Sequence, residues 1–238
     1  MMTAPTAVII GASSGIGEAL ARSLARDGWR IWLAARRIER LQSLASELGN
    51  GAVAMQMDIR RTEETRSVIT SLFQEVGTID LFILSAGVGE VNPDMDWASE
   101  QETIEVNALG FAAAAQTAMK HMIERDQGHL VGISSVAKLR SHGDAPAYAA
   151  SKAFVSTYLD GLRDLAKRRG AKNVTVTEAC PGFVATAMMK APSPFWVASP
   201  DAAATSIRRA IGRRAKHAYI TPRWGLIALL LRLLPRPG

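Results

Sequence analysis

The chain has 238 residues, 48% of them hydrophobic, and a formal net charge of +6, which supplies apolar surface for a domain-sized core and argues against disorder. Its one cysteine, Cys180, excludes an intrachain disulfide and points to a reducing, cytoplasmic setting. A nucleic-acid binder is disfavoured by where the charge lies. Eight of the 28 basic residues fall after position 201 with no acidic residue among them, leaving 20 basic against 22 acidic before it.

No basic segment followed by a long apolar one precedes Ala7-Val8-Ile9-Ile10, so no secretory leader is expected. Strand-like runs at 7–10, 30–34, 52–57, 81–85, 129–133, 174–179 and 218–220 alternate with helical stretches. Several are too continuously apolar for a sheet with one wet face. The pattern predicts an α/β fold: a doubly wound parallel sheet of about seven strands with helices on both faces. No linker interrupts it, so 1–222 reads as one domain and 223–238 as an apolar, basic helical extension.

The first strand runs into Gly11-Ala12-Ser13-Ser14-Gly15-Ile16-Gly17 and then a helix over 15–27 that stops at Gly28. Glycines allow a tight turn and close backbone approach, and the free amides of a helix start attract an anion, so this is a candidate dinucleotide phosphate site. Where an NAD site usually carries an acid, at the end of the second strand, the chain has Ala34-Ala35-Arg36-Arg37. Guanidinium groups suit a 2′-phosphate. NADPH is therefore expected over NADH, with Arg36 the stronger contact. Farther on, the run of alanines at 112–115 gives a long helix a small-residue face, open to the domain's own sheet or to a second subunit. Tyr148 and Lys152 stand four residues apart in helical sequence, which puts a phenol and an ammonium on one helix face. A cation beside a phenol favours its ionised form, tuning Tyr148 for proton transfer.

With these motifs in place, the chain resembles the short-chain dehydrogenase/reductase family, in its compact Rossmann-like form, to about residue 220. The glycine turn looks like the family's, with Ile10 in place of a threonine, and Leu84-Ser85-Ala86-Gly87 occupies the Asn-Asn-Ala-Gly position. The resemblance implies Asn107, Ser135, Tyr148 and Lys152 as the catalytic set. It implies a cofactor site of Gly11, Ser13, Ser14, Gly15, Ile16, Gly17, Arg36, Arg37, Asp58, Ile59, Ala86, Gly87, Tyr148, Lys152, Pro181, Gly182 and Thr186. Within it, Asp58 would contact the adenine, and Pro181-Gly182 with Thr186 the nicotinamide carboxamide. Asn107 would anchor a water linking Lys152 to solvent, and Lys152 would hold the nicotinamide ribose.

The segment after Pro181-Gly182 falls where the family places a substrate lid. Its Met188, Met189, Phe195 and Trp196 suit an apolar or lipid-like carbonyl substrate. Ser199-Pro200-Asp201 marks the start of a helix over 200–211. The final apolar stretch, 224–234, suits an interfacial helix on anionic lipid or packing against a second subunit, and is too short to span a bilayer. His121, His129, His142 and His217 are scattered, so no metal site is expected. His142, between Ser135 and Tyr148, reads as a solvated loop histidine, with contact to substrate as the alternative. The expectation is an NADPH-dependent carbonyl reductase acting as a homodimer or homotetramer. The alternative is a non-catalytic NADPH-binding regulator of the same fold.

Overall fold

In the structure, a computed structural model describing residues 4–140, 143–190 and 193–233, the apolar runs become seven strands. These are β1 (Thr6–Ile10), β2 (Arg30–Ala35), β3 (Val53–Gln56), β4 (Leu81–Leu84), β5 (Gly128–Ile133), β6 (Val174–Pro181) and β7 (His217–Ile220). Between and after them run α1 (Gly15–Arg26), α2 (Ile38–Leu48), α3 (Thr62–Val76), α4 (Trp97–Ile104), α5 (Phe111–Arg125), α6 (Pro146–Arg168), α7 (Pro200–Gly212) and α8 (Pro222–Leu233). All strand pairs are parallel, in the order β3-β2-β1-β4-β5-β6-β7. The order reverses between β1 and β4, the point at whose carboxyl ends sheets of this kind receive a ligand.

The continuous apolar character of the inner strands follows from burial on two faces. Val8 and Ile10 of β1 join Phe82 and Leu84 of β4 in a core with α3, α5 and α6. Ala7, Ile9, Leu81 and Ile83 join the opposite core with α1, α2 and α7. Each large side chain buried this way contributes roughly 1.5–3 kcal/mol. At the edge, β3 pairs only with β2, and its Val53, Ala54 and Met55 are half-buried; it is shorter than the apolar run at 52–57. Ala114 and Ala115 are buried in the α3/α5/α6 core, so these two alanines let α5 approach the chain's own sheet.

Local signals place the ends of several elements. Ser199 Oγ accepts a hydrogen bond from the Ala202 N–H at 3.1 Å and Pro200 opens α7, an N-cap that satisfies an otherwise orphaned donor. Between α4 and α5 the helix widens into a π-helical turn over Glu105–Gly110. Such turns are frequent at functional sites, and this one carries Asn107.

Helix α8 begins at Pro222 and lies against β7 and a 3-10 turn at Val136–Leu139. Trp224 and Ala228 face the body, while Leu226, Leu229 and Leu230 are 60%, 56% and 49% exposed. Of the basic residues of the last segment, those that precede this helix lie away from it. Arg208 is paired with Asp27 at the end of α1. Arg209, Arg213, Arg214 and Lys216 follow α7 down to the start of β7, the end of the sheet away from α8. Arg223, exposed, stands beside the helix start.

Candidate active site

At the switch point the turn after β1 and the end of β4 interlock. Gly11 adopts φ +91°, and a Cβ there would collide with the Ala86 backbone, so only glycine fits. Gly17 approaches the Gly11 carbonyl oxygen just as closely, and Thr186 comes in against Gly15. The space in front of the turn is therefore lined by backbone. Ser14 caps α1 without a side-chain bond to its amides. Instead, Arg37 Nη2 donates to Ser13 Oγ and Ser14 Oγ, each at 2.8 Å, and Arg37 Nε donates to Ser13 Oγ at 3.2 Å.

Arg37, rather than Arg36, thus reaches the glycine turn. Arg36 leans outward to Glu102 Oε1 at 3.1 Å. Burial, followed by the charges of Arg40 and Arg36 and against that of Glu18, holds Arg37 below its ordinary pKa. Asp58 is gripped by Arg60, whose Nη2 lies 2.6 Å from Oδ2, and those hydrogen bonds, against burial, hold the carboxyl below its usual range. Ile59 is buried beside it in the core.

Asn107 is 1% exposed and fully engaged. Its Oδ1 accepts the Val88 N–H at 2.9 Å, while Nδ2 donates to Val88 O at 2.7 Å and to Ser151 Oγ at 3.1 Å. The side chain braces the segment after Ala86-Gly87. Ser151 in turn donates to the Tyr148 carbonyl at 2.8 Å, so Asn107 also ties into the first turn of α6.

Ser135 leaves β5 in an extended conformation and accepts the Ala137 N–H at 3.2 Å. Its hydroxyl is within hydrogen-bond reach of the Tyr148 phenol. The Tyr148 ring lies on Gly89, where a Cβ would strike Cδ2 and Cε2. Lys152 is 5% exposed; its Nζ donates to Ile133 O at 3.3 Å and lies 5.7 Å from the centre of the Tyr148 ring. Burial pushes the Tyr148 phenol up, with the Ser135 hydrogen bond pulling it back, and burial lowers Lys152 to about 8. Desolvation therefore sets the direction of both shifts, and the Tyr148 phenol stands raised where the sequence led us to expect it lowered. No carboxylate among the described residues pairs with Lys152.

These features sit on a fold and a sequence that comparison with known proteins resolves. Residues 5–194 match the family model described as short chain dehydrogenase. The chain belongs to that family. It is 38% identical over 209 residues to an uncharacterized oxidoreductase of Myxococcus xanthus, a match covering 84% of this chain and 81% of that one. Among solved structures, a short-chain dehydrogenase from Sphingobium yanoikuyae in complex with NADPH superposes with a TM-score of 0.82 at 24% identity, covering 98% of each chain. A bulky-bulky ketone specific alcohol dehydrogenase from Comamonas testosteroni superposes with a TM-score of 0.81 at 22% identity, over 100% of this chain and 97% of that one. The protein is an oxidoreductase of the short-chain dehydrogenase family.

In this family member the segment expected to form a lid packs on the C-terminal helix. Pro181 ends β6, Gly182 N–H donates to Ile220 O at 2.9 Å, and the Trp224 ring covers Gly182 so closely that a Cβ there would enter it. Around Trp224 stand Phe183, Phe195 and Trp196, at ring-centre distances of 5.6, 5.1 and 6.1 Å. Val184 and Ala198 bridge the two ends of the lid. The Met188 methyl approaches Gly87 from above, while Met189 is half-buried. Cys180 is buried in β6. His142 lies outside the described residues.

Sequence reading missed Gly89, Ser151 and Trp224. No residue-level signal marks Gly89 or Ser151, since their partners are distant in sequence. Trp224 carried a signal, a large aromatic before a leucine-rich stretch, that points equally to lipid or to a second subunit until its contact with Gly182 is seen.

Proposed function

We propose that the protein is an NADPH-dependent reductase that converts an apolar ketone or aldehyde to an alcohol. The observation that carries the proposal is the convergence of Ser135, Tyr148 and Lys152 beside a phosphate-binding turn at the switch point of the sheet. Three features of the chain fit the dinucleotide. The turn at Gly11 and Gly15 offers bare backbone, Arg37 supplies a guanidinium on the hydroxyls of Ser13 and Ser14, and Lys152 is a buried ammonium whose hydrogen bond goes to a carbonyl. A buried ammonium lacking a counter-charge is costly and favours hydroxyl partners such as those of a ribose. Gly11, Gly15, Gly17, Arg36 and Arg37 would hold the adenosine end, and Lys152, Gly182 and Thr186 the nicotinamide end.

The bound cofactor supplies a hydride to the carbonyl carbon. Ser135 donates a hydrogen bond to the carbonyl oxygen and fixes it in place. Tyr148 then transfers its phenolic proton to that oxygen as negative charge builds on it. A raised Tyr148 pKa keeps the phenol protonated, and so a donor, across the neutral and alkaline range. Asn107 holds the loop and helix that frame both groups. Met188, Phe195 and Trp196, exposed along the lid, support an apolar substrate. We place the enzyme in the cytoplasm as a homo-oligomer built on the α4–α6 face, and the leucines of α8 on a lipid surface.

The test is NADPH consumption across carbonyls graded from short and polar to long-chain and aromatic. Tyr148→Phe should lower turnover on the order of 10²–10⁴-fold while NADPH binding survives. Undiminished turnover in this variant, or faster reduction of small polar ketones, contradicts the reading.

A further inference from the structure

Glu178 has no role in the chemistry described so far, yet it is 0% exposed in the middle of β6, where an unpaired carboxylate would be heavily penalised. It and its neighbour Ala179 hold residues on both sides of Ser135 in sequence. Lys138 Nζ donates to Glu178 Oε1 at 2.6 Å, and the Ser134 hydroxyl donates to the carbonyl of Ala179, the next residue of β6, at 3.4 Å. His217 Nδ1 lies 2.7 Å from Oε2. The backbone completes the grip: Lys138 N–H donates to Ser135 O at 3.2 Å and Ser134 N–H to Ala179 O at 2.9 Å. Lys138 Nζ also donates to Ser156 Oγ at 2.8 Å, and Ser156 follows Tyr148 and Lys152 on α6 at intervals of four residues, the same helix face.

We infer that Glu178 and Lys138 are positioning residues that fix the Ser135 hydroxyl relative to Tyr148, an inference that rests on the reductase reading above. A buried ion pair by itself is weak evidence of stability, since apolar replacements of the same shape are often as stable. What distinguishes this pair is its placement. Strand β6 holds the residue before Ser135 through the Ala179 carbonyl and the residue three after it through the Glu178 carboxylate, and the ammonium joins that turn to the face of α6 bearing the phenol. Burial opposes ionisation of Glu178, but the polar neighbours Lys138, Ser134 and His217 prevail and keep its pKa below the ordinary value. The tie is thus held as an ion pair.

The decisive measurement is steady-state reduction with thermal melts for Lys138→Met, Ser135→Ala, their double variant, and Lys138→Met combined with Glu178→Gln. Misplacing the serine should lower kcat on the order of 10- to 100-fold in Lys138→Met, with NADPH affinity unchanged because the glycine turn lies elsewhere. Adding Glu178→Gln removes the buried carboxylate that has lost its ammonium partner, so the melting temperature should recover while kcat stays low. In the Ser135→Ala background, Lys138→Met should cost no further kcat, the signature of a residue acting through another. Recovery of kcat together with stability, or an equal loss with and without Ser135, overturns the inference. Full kcat in Lys138→Met alongside a loss in Ser135→Ala also overturns it and leaves the reductase reading standing. Full kcat in Ser135→Ala overturns both.

Discussion

Lys152 is the residue whose chemistry and stability pull in opposite directions. Its pKa, lowered from 10.5 to about 8 by burial, means that between these values the folded protein binds fewer protons than the unfolded one. Stability from this group therefore rises with pH through that window and is lost as pH falls toward 8, a difference of roughly 3 kcal/mol. Lys152→Met, which lacks the titration, should be more stable than the native protein at pH 7 and lose that advantage near pH 10, while reducing no substrate. Denaturant unfolding at the two pH values checks this. A variant less stable at neutral pH would show that the ammonium is not the burden its burial implies. Tyr148 is tuned in the same manner, by desolvation more than by its neighbour. The spacing of four residues placed the pair on one helix face, but the depth of that face below the surface set the direction of both shifts.

Helix α8 shows how an element can be correctly located and its purpose still be decided elsewhere. Its leucines and arginines are visible in the sequence, but the contact of Trp224 with Gly182 joins residues 42 positions apart. That contact lays the helix on the segment expected to hold the nicotinamide. Trp224→Ala removes the ring that supports Gly182 and its neighbours Phe183 and Phe195, a loss of about 3–5 kcal/mol in stability. It should also raise the KM for NADPH and for substrate, which steady-state kinetics at a temperature below the melt would detect. Unchanged KM values in the folded variant would reduce α8 to packing. The π-helical turn at Glu105–Gly110 is a second case: helical sequence predicts a helix, and the structure widens it where Asn107 bonds Val88 of the neighbouring loop.

For the molecule as a whole, two exposed apolar surfaces invite separate partners. Ile104 and Leu109 with Phe154 and Leu165 of α6 are exposed near the α4–α6 contact, a surface suited to a second copy of this chain. Leu226, Leu229 and Leu230 face outward on α8, next to the lid. Truncating α8 would confound lipid contact with damage at Gly182, so the leucines should be replaced by serine in place. The triple variant is expected to lose co-sedimentation with anionic liposomes and to keep its oligomeric mass by light scattering; sedimentation equal to the native protein sinks the lipid proposal.

The alternation of apolar runs and helices, the glycine turn and the placing of Tyr148 and Lys152 on one helix face were legible in the sequence because each depends on residues close in the chain or on a local backbone requirement, whereas Ser135 was named only through the family resemblance. The parallel seven-stranded sheet followed from strands apolar on both faces. The direction of the Tyr148 and Lys152 shifts, the choice of Arg37 over Arg36 at the turn, and the placement of Trp224 and Glu178 were decided by tertiary structure alone. Desolvation and long-range contacts depend on which distant segments are packed together, and no local pattern encodes them.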